Sequence, residues 1–190
     1  MYPFNDFEIQ ASDRISQAFL TRKITTFYRA IEFIKNLEYG RNLDKTDLST
    51  VFSDNCGTCS TKHAVLKQLA AEHHLENIQL TLGIFKMTAV NTPKVLPVLS
   101  KYRLEYLPEA HTYLKYRAQI YDFTFPSSTA SDFESELLFE IEIQPHQINR
   151  HKIDLHRIFL EDWLSENADI TYSLEELWHI REACIAQLSL

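Results

Sequence analysis

The chain has 190 residues, 45% of them hydrophobic, which is enough apolar material for one substantial core. Its formal net charge is −7, from 19 basic and 26 acidic residues, and no block of Lys or Arg could neutralise a run of phosphates. Nucleic acid and anionic membrane surfaces are therefore poor candidates as partners.

The N-terminal segment, the length of the apolar runs and the cysteine content predict the cellular compartment. The N-terminal segment MYPFNDFEIQASDR carries acids where a signal peptide requires a basic region and then an apolar run. No later stretch reaches the roughly 18 uninterrupted apolar residues of a membrane span. We therefore expect a cytoplasmic protein, in which three cysteines, an odd number, argue against a disulfide framework.

Nothing in the sequence marks a linker. There are three glycines and six prolines, with no internal repeat and no low-complexity tract. This predicts a single domain over residues 1–190, with a core at about 55–145 and helical additions at 11–38 and 147–190.

The first predicted element covers residues 11–38. Its apolar side chains recur at helical spacing, which predicts one long helix or two short ones, stopped by Gly40. The next helix opens within NCGTCSTKHAVLKQLAAEHH, residues 55–74, where Thr58, Ser60 or Thr61 can provide the N-cap. Its predicted inner face consists of Val65, Leu66, Leu69 and Ala70.

The middle of the chain predicts strands. Residues 78–90 are rich in branched and aromatic side chains, and a short helix is expected in 91–102 after a Thr cap and a first-position Pro. Residues 110–125 indicate two strands joined by a tight turn at Tyr116 and Arg117, although neither is the Gly or Asn that such turns prefer.

The C-terminal third returns to helix after one more strand at 137–145. We expect helices in 147–167 and 172–188, the latter starting with Ser173 and Glu176 in capping-box spacing. Trp163 and Trp178 lie on apolar faces of these helices, which favours core packing or contacts in a homodimer over a substrate site. Helices, then strands, then helices predict an α+β fold with an antiparallel sheet.

The segment CGTC places two cysteines in different electrostatic settings. Cys59 stands at the first turn of a predicted helix, where unpaired amide groups favour the thiolate, whereas Cys56 lies outside the helix. Gly57 would let the backbone approach a substrate carbonyl closely, as a main-chain oxyanion site requires. The alternative is ordinary core filling by a small buried cysteine.

Two other interpretations use both cysteines. C-x-x-C is the spacing of a dithiol redox centre, in which Cys56 would be the redox neighbour and Pro93 would take the place of a thioredoxin-like cis-proline. A zinc site would need a second ligand pair at the usual separation, which the sequence lacks, so we expect no metal.

A cysteine nucleophile requires a histidine base and a group that orients it. With a turn at Tyr116 and Arg117, His111 and Asp122 would be cross-strand neighbours on one face, although a slip of one residue would separate them. Taken singly, they could be a surface histidine and a turn acid. His63, four residues after Cys59 on the helix, is an alternative base.

Glu109 is an alternative orienter, because it would share a strand face with His111. These residues also carry a family resemblance. GTCSTKHAVLKQLA, a following strand and then HTYLKYRAQIYDFT resemble the three motif blocks of the transglutaminase-like superfamily over about residues 55–125.

That resemblance implies a papain-like core, with a cysteine-bearing helix packed on an antiparallel sheet that carries histidine and aspartate. Position by position it makes Cys59 the nucleophile, His111 the base and Asp122 the orienter. Tyr113 replaces a frequent tryptophan as an auxiliary aromatic, and Asn55 is the nearest candidate for the side-chain oxyanion donor.

Together these features predict a cofactor-independent cysteine acyl hydrolase or acyltransferase that forms a thioester. Its substrate would be a peptide, a protein or a small amide or ester, and residues 90–110 are a candidate lid over the site. The alternatives are a catalytically inactive binding or scaffold protein of the same fold and the dithiol redox protein.

Overall fold

The computed structural model describes residues 4–188, which form α-helices, β-strands and several 3₁₀ turns. The helices in this range are α1 (Arg14–Thr21), α2 (Phe27–Asn36), α3 (Thr50–Ser53), α4 (Cys59–Glu72), α5 (Leu96–Tyr102), α6 (Arg150–Glu166) and α7 (Leu174–Leu188). The strands are β1 (Glu38–Tyr39), β2 (Cys56–Gly57), β3 (Ile78–Thr88), β4 (Tyr106–Tyr116), β5 (Gln119–Tyr121) and β6 (Leu137–Ile143). The architecture is α+β, as predicted.

The main sheet has four antiparallel strands in the order β5-β4-β3-β6. A separate pair, β1 and β2, is parallel and brings Tyr39 opposite Gly57, immediately before α4 begins. The sequence did not predict this pair, because two-residue strands leave no periodic pattern.

Helix α4 is the central helix of the fold. It packs against β3 and β4, and its predicted inner face, Val65, Leu66, Leu69 and Ala70, is fully buried. Helices α1 and α2 cover it from outside, so that its polar residues Lys62 and His63 are buried as well. A helix surrounded on most sides holds its first turn in a fixed place against the sheet.

Two hydrophobic clusters lie on the sheet because strand residues alternate between its faces. Leu80, Leu82 and Ile84 pack with α1, α2 and α4. Phe85 and Met87, of the opposite parity, pack with α5, α6 and α7. No helix within residues 4–188 is both long enough and apolar enough to cross a bilayer.

The β4–β5 hairpin corrects the predicted register. The turn consists of Arg117 and Ala118, one residue later than predicted, and both have positive φ, 50° and 64°. Tyr116 therefore pairs with Gln119. Moving the turn by one residue shifts each cross-strand partner by two, so side chains keep their predicted face.

Several other boundaries differ from the sequence prediction. Residues 11–38 form two helices, because Thr26 accepts a hydrogen bond from the Arg29 amide and caps the second, which ends well before Gly40. The strand predicted from residue 110 already begins at Tyr106, and the short helix starts as a 3₁₀ turn at Pro93. The Ser173–Glu176 capping box of α7 is confirmed.

The residues buried on α6 depart most clearly from the apolar pattern of the sequence. Ile158, one of the apolar residues of this segment, is 61% exposed, whereas Lys152, His156, Leu160 and Trp163 are buried. Their spacing of four, four and three residues is still helical. The buried face is thus polar at its N-terminal end and apolar at its C-terminal end.

The strained hairpin gives a stability prediction. Replacing Ala118 with Gly removes the cost of a side chain at positive φ, so the free energy of unfolding should rise by about 0.5–1 kcal/mol. Ala186→Gly, on the exposed side of α7, should lower it by a similar amount. Urea unfolding of both variants measures the two signs, and destabilisation by Ala118→Gly would contradict the turn geometry.

Candidate active site

Cys59 is the first residue of α4, and Thr58 is its N-cap in a capping box with Thr61. The sulfur is nearly buried, with the residue 8% exposed, and it accepts a hydrogen bond from the backbone N–H of Thr112. That N–H is available because β5 pairs with β4 only at residues 114–116. The short length of β5 therefore opens the edge of β4 to the start of α4.

His111 lies between the sulfur and a carboxylate. Its Nε2 is 2.9 Å from Asp122 Oδ2, and its side chain is hydrogen-bonded to Cys59, which leaves Nδ1 for the sulfur. The imidazole packs edge-on against Phe133, with ring centroids 4.8 Å apart, and near Phe85 and Tyr113. These aromatic contacts restrict its rotation.

Asp122 follows directly after β5, and hydrogen bonds from a residue two positions later hold its carboxylate in place. Its Oδ1 accepts hydrogen bonds from the backbone N–H and the hydroxyl of Thr124, at 2.9 and 2.6 Å. This leaves Oδ2 for His111. The predicted proximity of His111 and Asp122 is therefore seen, although it arises at the end of the ladder and not within it.

Charge interactions set the protonation states of this group. Burial raises the pKa of the Cys59 thiol, but the positive charges of Lys152 and His111 more than offset this and lower it to about 6. Burial likewise lowers the pKa of His111, but Asp122 and the Cys59 thiolate raise it to about 10. At neutral pH the arrangement is a thiolate–imidazolium pair.

Lys152 of α6 was missed by the sequence analysis. Its ammonium donates to Ser60 Oγ at 2.8 Å and Thr112 Oγ1 at 3.2 Å, and lies 3.9 Å from Cys59 Sγ. The lysine interrupts the apolar stripe that Ile148 and Leu155 begin, and a charge within such a stripe is the signal that could have identified it.

Tyr39 of β1 was also missed. It lines both cavities at Cys59, and its ring stacks on Phe125 with centroids 5.2 Å apart. Burial and then the negative charge of Cys59 raise the pKa of its phenol. A protonated hydroxyl at this place is a candidate donor to an oxyanion on a carbon attached to Cys59. Tyr39 is thus a second candidate for the donor that the sequence analysis sought in Asn55.

Both ring nitrogens of His63 are engaged in hydrogen bonds, so this residue is not available as a base. Its Nδ1 donates to the Cys59 carbonyl at 2.7 Å, and its Nε2 accepts from the Phe123 backbone N–H at 2.7 Å. Burial lowers its pKa to about 4, although Asp122 opposes this. His63 is a neutral tie between α4 and the segment that carries Asp122.

Three other proposed residues have different partners. Glu109 forms a bidentate pair with Arg181 at 2.6 and 2.8 Å, so its carboxylate is not the orienter of His111. Tyr113 donates its hydroxyl to Glu140. Asn55 is an exposed turn residue with φ 51°, which accounts for its position without a role at the sulfur.

Gly57 permits a close approach, but of side chains and not of substrate. A Cβ there would lie 2.9 Å from Lys62 Cγ and 3.0 Å from Thr61 Oγ1. Lys62 needs this room because its buried ammonium donates to the carbonyls of Leu37 and Thr124, at 2.6 and 2.7 Å. Gly57 is thus required by packing at the start of α4.

Cys56 and Cys59 are free thiols with different surroundings. The Cys56 sulfur lies 3.9 Å from the Arg41 carbonyl, and burial and then the charge of Asp54 raise its pKa. Pro93 begins a 3₁₀ turn, and residues 4–188 contain no cis peptide bond, so the thioredoxin-like cis-proline is absent there. The same range holds no cluster of three metal-ligating side chains.

Two cavities meet at Cys59. The larger, about 770 Å³, is lined by His111 and Asp122 and by apolar groups that include Phe85, Phe125 and Phe133. Residues 91–94 of the predicted lid also border it. The smaller, about 330 Å³, is polar and contains Lys152.

The two tryptophans have separate positions. Trp163 belongs to the core and donates from Nε1 to the Tyr106 hydroxyl at 2.8 Å. Trp178 lines the smaller cavity, where the guanidinium groups of Arg157 and Arg181 lie 5.3 and 5.2 Å from its ring. Trp178 thus borders the candidate site, contrary to the sequence-based expectation.

Comparison of the chain with protein-family models, with curated proteins and with solved structures finds no match.

The two histidines near the sulfur can be separated by mutation. His63→Ala should lower the free energy of unfolding by about 2–4 kcal/mol, because it removes two buried hydrogen bonds and leaves a cavity. The pH midpoint of Cys59 alkylation should stay near 6. In His111→Ala the midpoint should move upward, because the imidazolium is lost; a rise in His63→Ala instead would make His63 the base.

The two cysteines should differ in reactivity. At neutral pH, limiting iodoacetamide should label Cys59 before Cys56, because only Cys59 has a lowered pKa. Peptide mapping by mass spectrometry distinguishes them, with Cys56→Ala and Cys59→Ala as matched controls. Labelling of Cys56 first would contradict the assigned environments.

Proposed function

We propose that this chain is a cysteine acyl hydrolase or acyltransferase with a papain-like core of the transglutaminase-like type. The observation that carries the proposal is the row formed by Cys59, His111 and Asp122, with the thiol pKa lowered to about 6 and the imidazole pKa raised to about 10. Such perturbed values on a nucleophile and a base at a cavity favour a catalytic role.

The coarse architecture is consistent with that core. A helix starts with the cysteine and packs on an antiparallel sheet, in which β4 carries His111 and the end of β5 leads to Asp122. The motif blocks GTC, H-x-Y and D-x-T occur in the same order along these elements.

In the first half-reaction the Cys59 thiolate attacks the carbonyl carbon of an amide or ester and forms a C–S bond. The oxyanion accepts hydrogen bonds from the Cys59 backbone N–H and the Tyr39 hydroxyl. The intermediate then collapses, the bond to the leaving group breaks, and the His111 imidazolium donates its proton to that group. The product is a thioester on Cys59 and a neutral imidazole.

In the second half-reaction neutral His111 accepts a proton from water or an amine as this attacks the thioester. The C–S bond breaks, Cys59 leaves as thiolate, and His111 keeps the proton. Asp122 stays ionised throughout and holds the ring in place. We favour hydrolysis over transfer, because no group at the site specifies an amine acceptor.

Acylation by an activated ester tests this function. p-Nitrophenyl acetate should place one acetyl group on Cys59, seen by mass spectrometry, and release nitrophenol with turnover. Cys59→Ala should abolish both, His111→Ala should reduce turnover by about 10²- to 10⁴-fold, and Cys56→Ala should retain both. A stable acetyl-Cys59 without turnover would favour the inactive binding protein, and turnover in Cys59→Ala would exclude the mechanism.

A further inference from the structure

The smaller cavity beside Cys59 is rich in cations. Five basic side chains line it: Arg41, Lys45, Lys152, Arg157 and Arg181. It shares Tyr39, Cys59, Glu109 and Ile185 with the larger cavity, so Cys59 lies where the two cavities meet.

The three arginines are already paired with acids. Arg181 holds Glu109 and Glu182, and Arg41 also bonds Glu182, at 2.5 Å. Arg157 pairs with Glu175. These carboxylates neutralise the guanidinium groups and fix them as walls of the cavity.

The two lysines have no such partner. Within the described residues, neither Lys45 nor Lys152 forms an ion pair with a carboxylate, although Lys152 is more than nine-tenths buried. The Lys152 ammonium donates hydrogen bonds to two hydroxyl groups and lies 3.9 Å from the Cys59 sulfur. Lys45 is half-buried. Burial lowers its pKa, and repulsion from the positive charges of Arg41 and Lys152 lowers it further. An anion would relieve this repulsion.

The position of His111 assigns the two cavities to the two parts of a substrate. The imidazole lines only the larger cavity, and it must protonate the leaving group, which therefore lies there. The smaller cavity is left for the acyl group. Lys45, which has no carboxylate partner within the described residues, and Lys152, which lies beside the sulfur, thus face the group that becomes attached to Cys59.

We propose that the smaller cavity is an anion subsite, and that the acyl group accepted by this protein carries a carboxylate held by Lys45 with Lys152 beside it. The substrate side of this inference rests on the proposed acyl-transfer function. The anion subsite itself does not, because it can be measured without any turnover.

The test compares iodoacetate with iodoacetamide as probes of Cys59. Both alkylate the same thiolate, so the ratio of their rate constants at one pH cancels the thiolate fraction and any change in the Cys59 pKa. A thiolate without nearby cations reacts with the anionic reagent no faster than with the neutral one. Cys56 provides a reference within the same molecule, because the negative charges of Asp54 and Glu38 there outweigh the positive charge of Lys62.

We expect Cys59 to prefer iodoacetate by about tenfold at low ionic strength, and this preference should shrink as salt is added. Lys45→Gln should reduce the preference by threefold or more, whereas Lys45→Arg should retain it. Lys94→Gln removes a cation from the border of the larger cavity and should change the ratio by less than twofold.

A wild-type ratio below one, or an unchanged ratio in Lys45→Gln, would overturn the anion subsite. Thermal unfolding of the variants checks that they fold, and within the described residues Lys45 forms no ion pair with a carboxylate that the substitution would break. A preference for iodoacetate without hydrolysis of activated esters would reject the enzyme and keep the subsite. Hydrolysis of activated esters without a preference for iodoacetate would reject the subsite and keep the enzyme.

Discussion

The arrangement of this protein around α4 depends on the ion pair between the Cys59 thiolate and the His111 imidazolium. A buried charge is costly unless an opposite charge accompanies it, and here opposite charges lie next to one another. Cys59 and Asp122 are negative, whereas His111 and Lys152 are positive. In the proposed acyl transfer Cys59 and His111 lose their opposite charges together when the thioester forms and regain them together when it is cleaved, so the charges of Lys152 and Asp122 stay balanced.

Hydrogen bonds from α4 to neighbouring backbone groups keep this set together. His63 and Lys62 reach from consecutive positions of α4 to the Phe123 amide and the Thr124 carbonyl, at 2.7 Å each. The helix that carries the nucleophile is thereby tied to the segment that carries Asp122. Polar residues in the middle of a buried helix are expensive unless satisfied, and these two are satisfied by backbone groups.

The sequence was informative where local chemistry determines structure. The N-terminal position of Cys59 on α4 followed from the capping residues, and the two C-terminal helices followed from apolar spacing and the Ser173 capping box. His111 and Asp122 were correctly expected to lie close together, although the turn was misplaced by one residue and Asp122 lies just beyond the end of β5.

What could not be predicted depends on long-range contacts. Lys152 reaches Cys59 across 93 positions of chain, and Tyr39 lines the cavities at Cys59 because a two-residue strand pairs it with Gly57. Glu109 lies on the predicted strand, but its carboxylate pairs with Arg181, 72 residues away in the sequence, and not with His111. Local periodicity shows neither the partner nor the side chain direction in such cases.

The charge state of His111 tests the central claim most directly. Its ring can be followed by nuclear magnetic resonance in a pH titration, with His111→Gln to assign the signal and Cys59→Ser to remove the thiolate. The account predicts that the wild-type ring stays an imidazolium well above neutral pH, with a pKa of about 10, and that Cys59→Ser lowers this value. A wild-type ring that titrates near the ordinary histidine pKa of about 6.5, and is unaffected by Cys59→Ser, would contradict the ion pair.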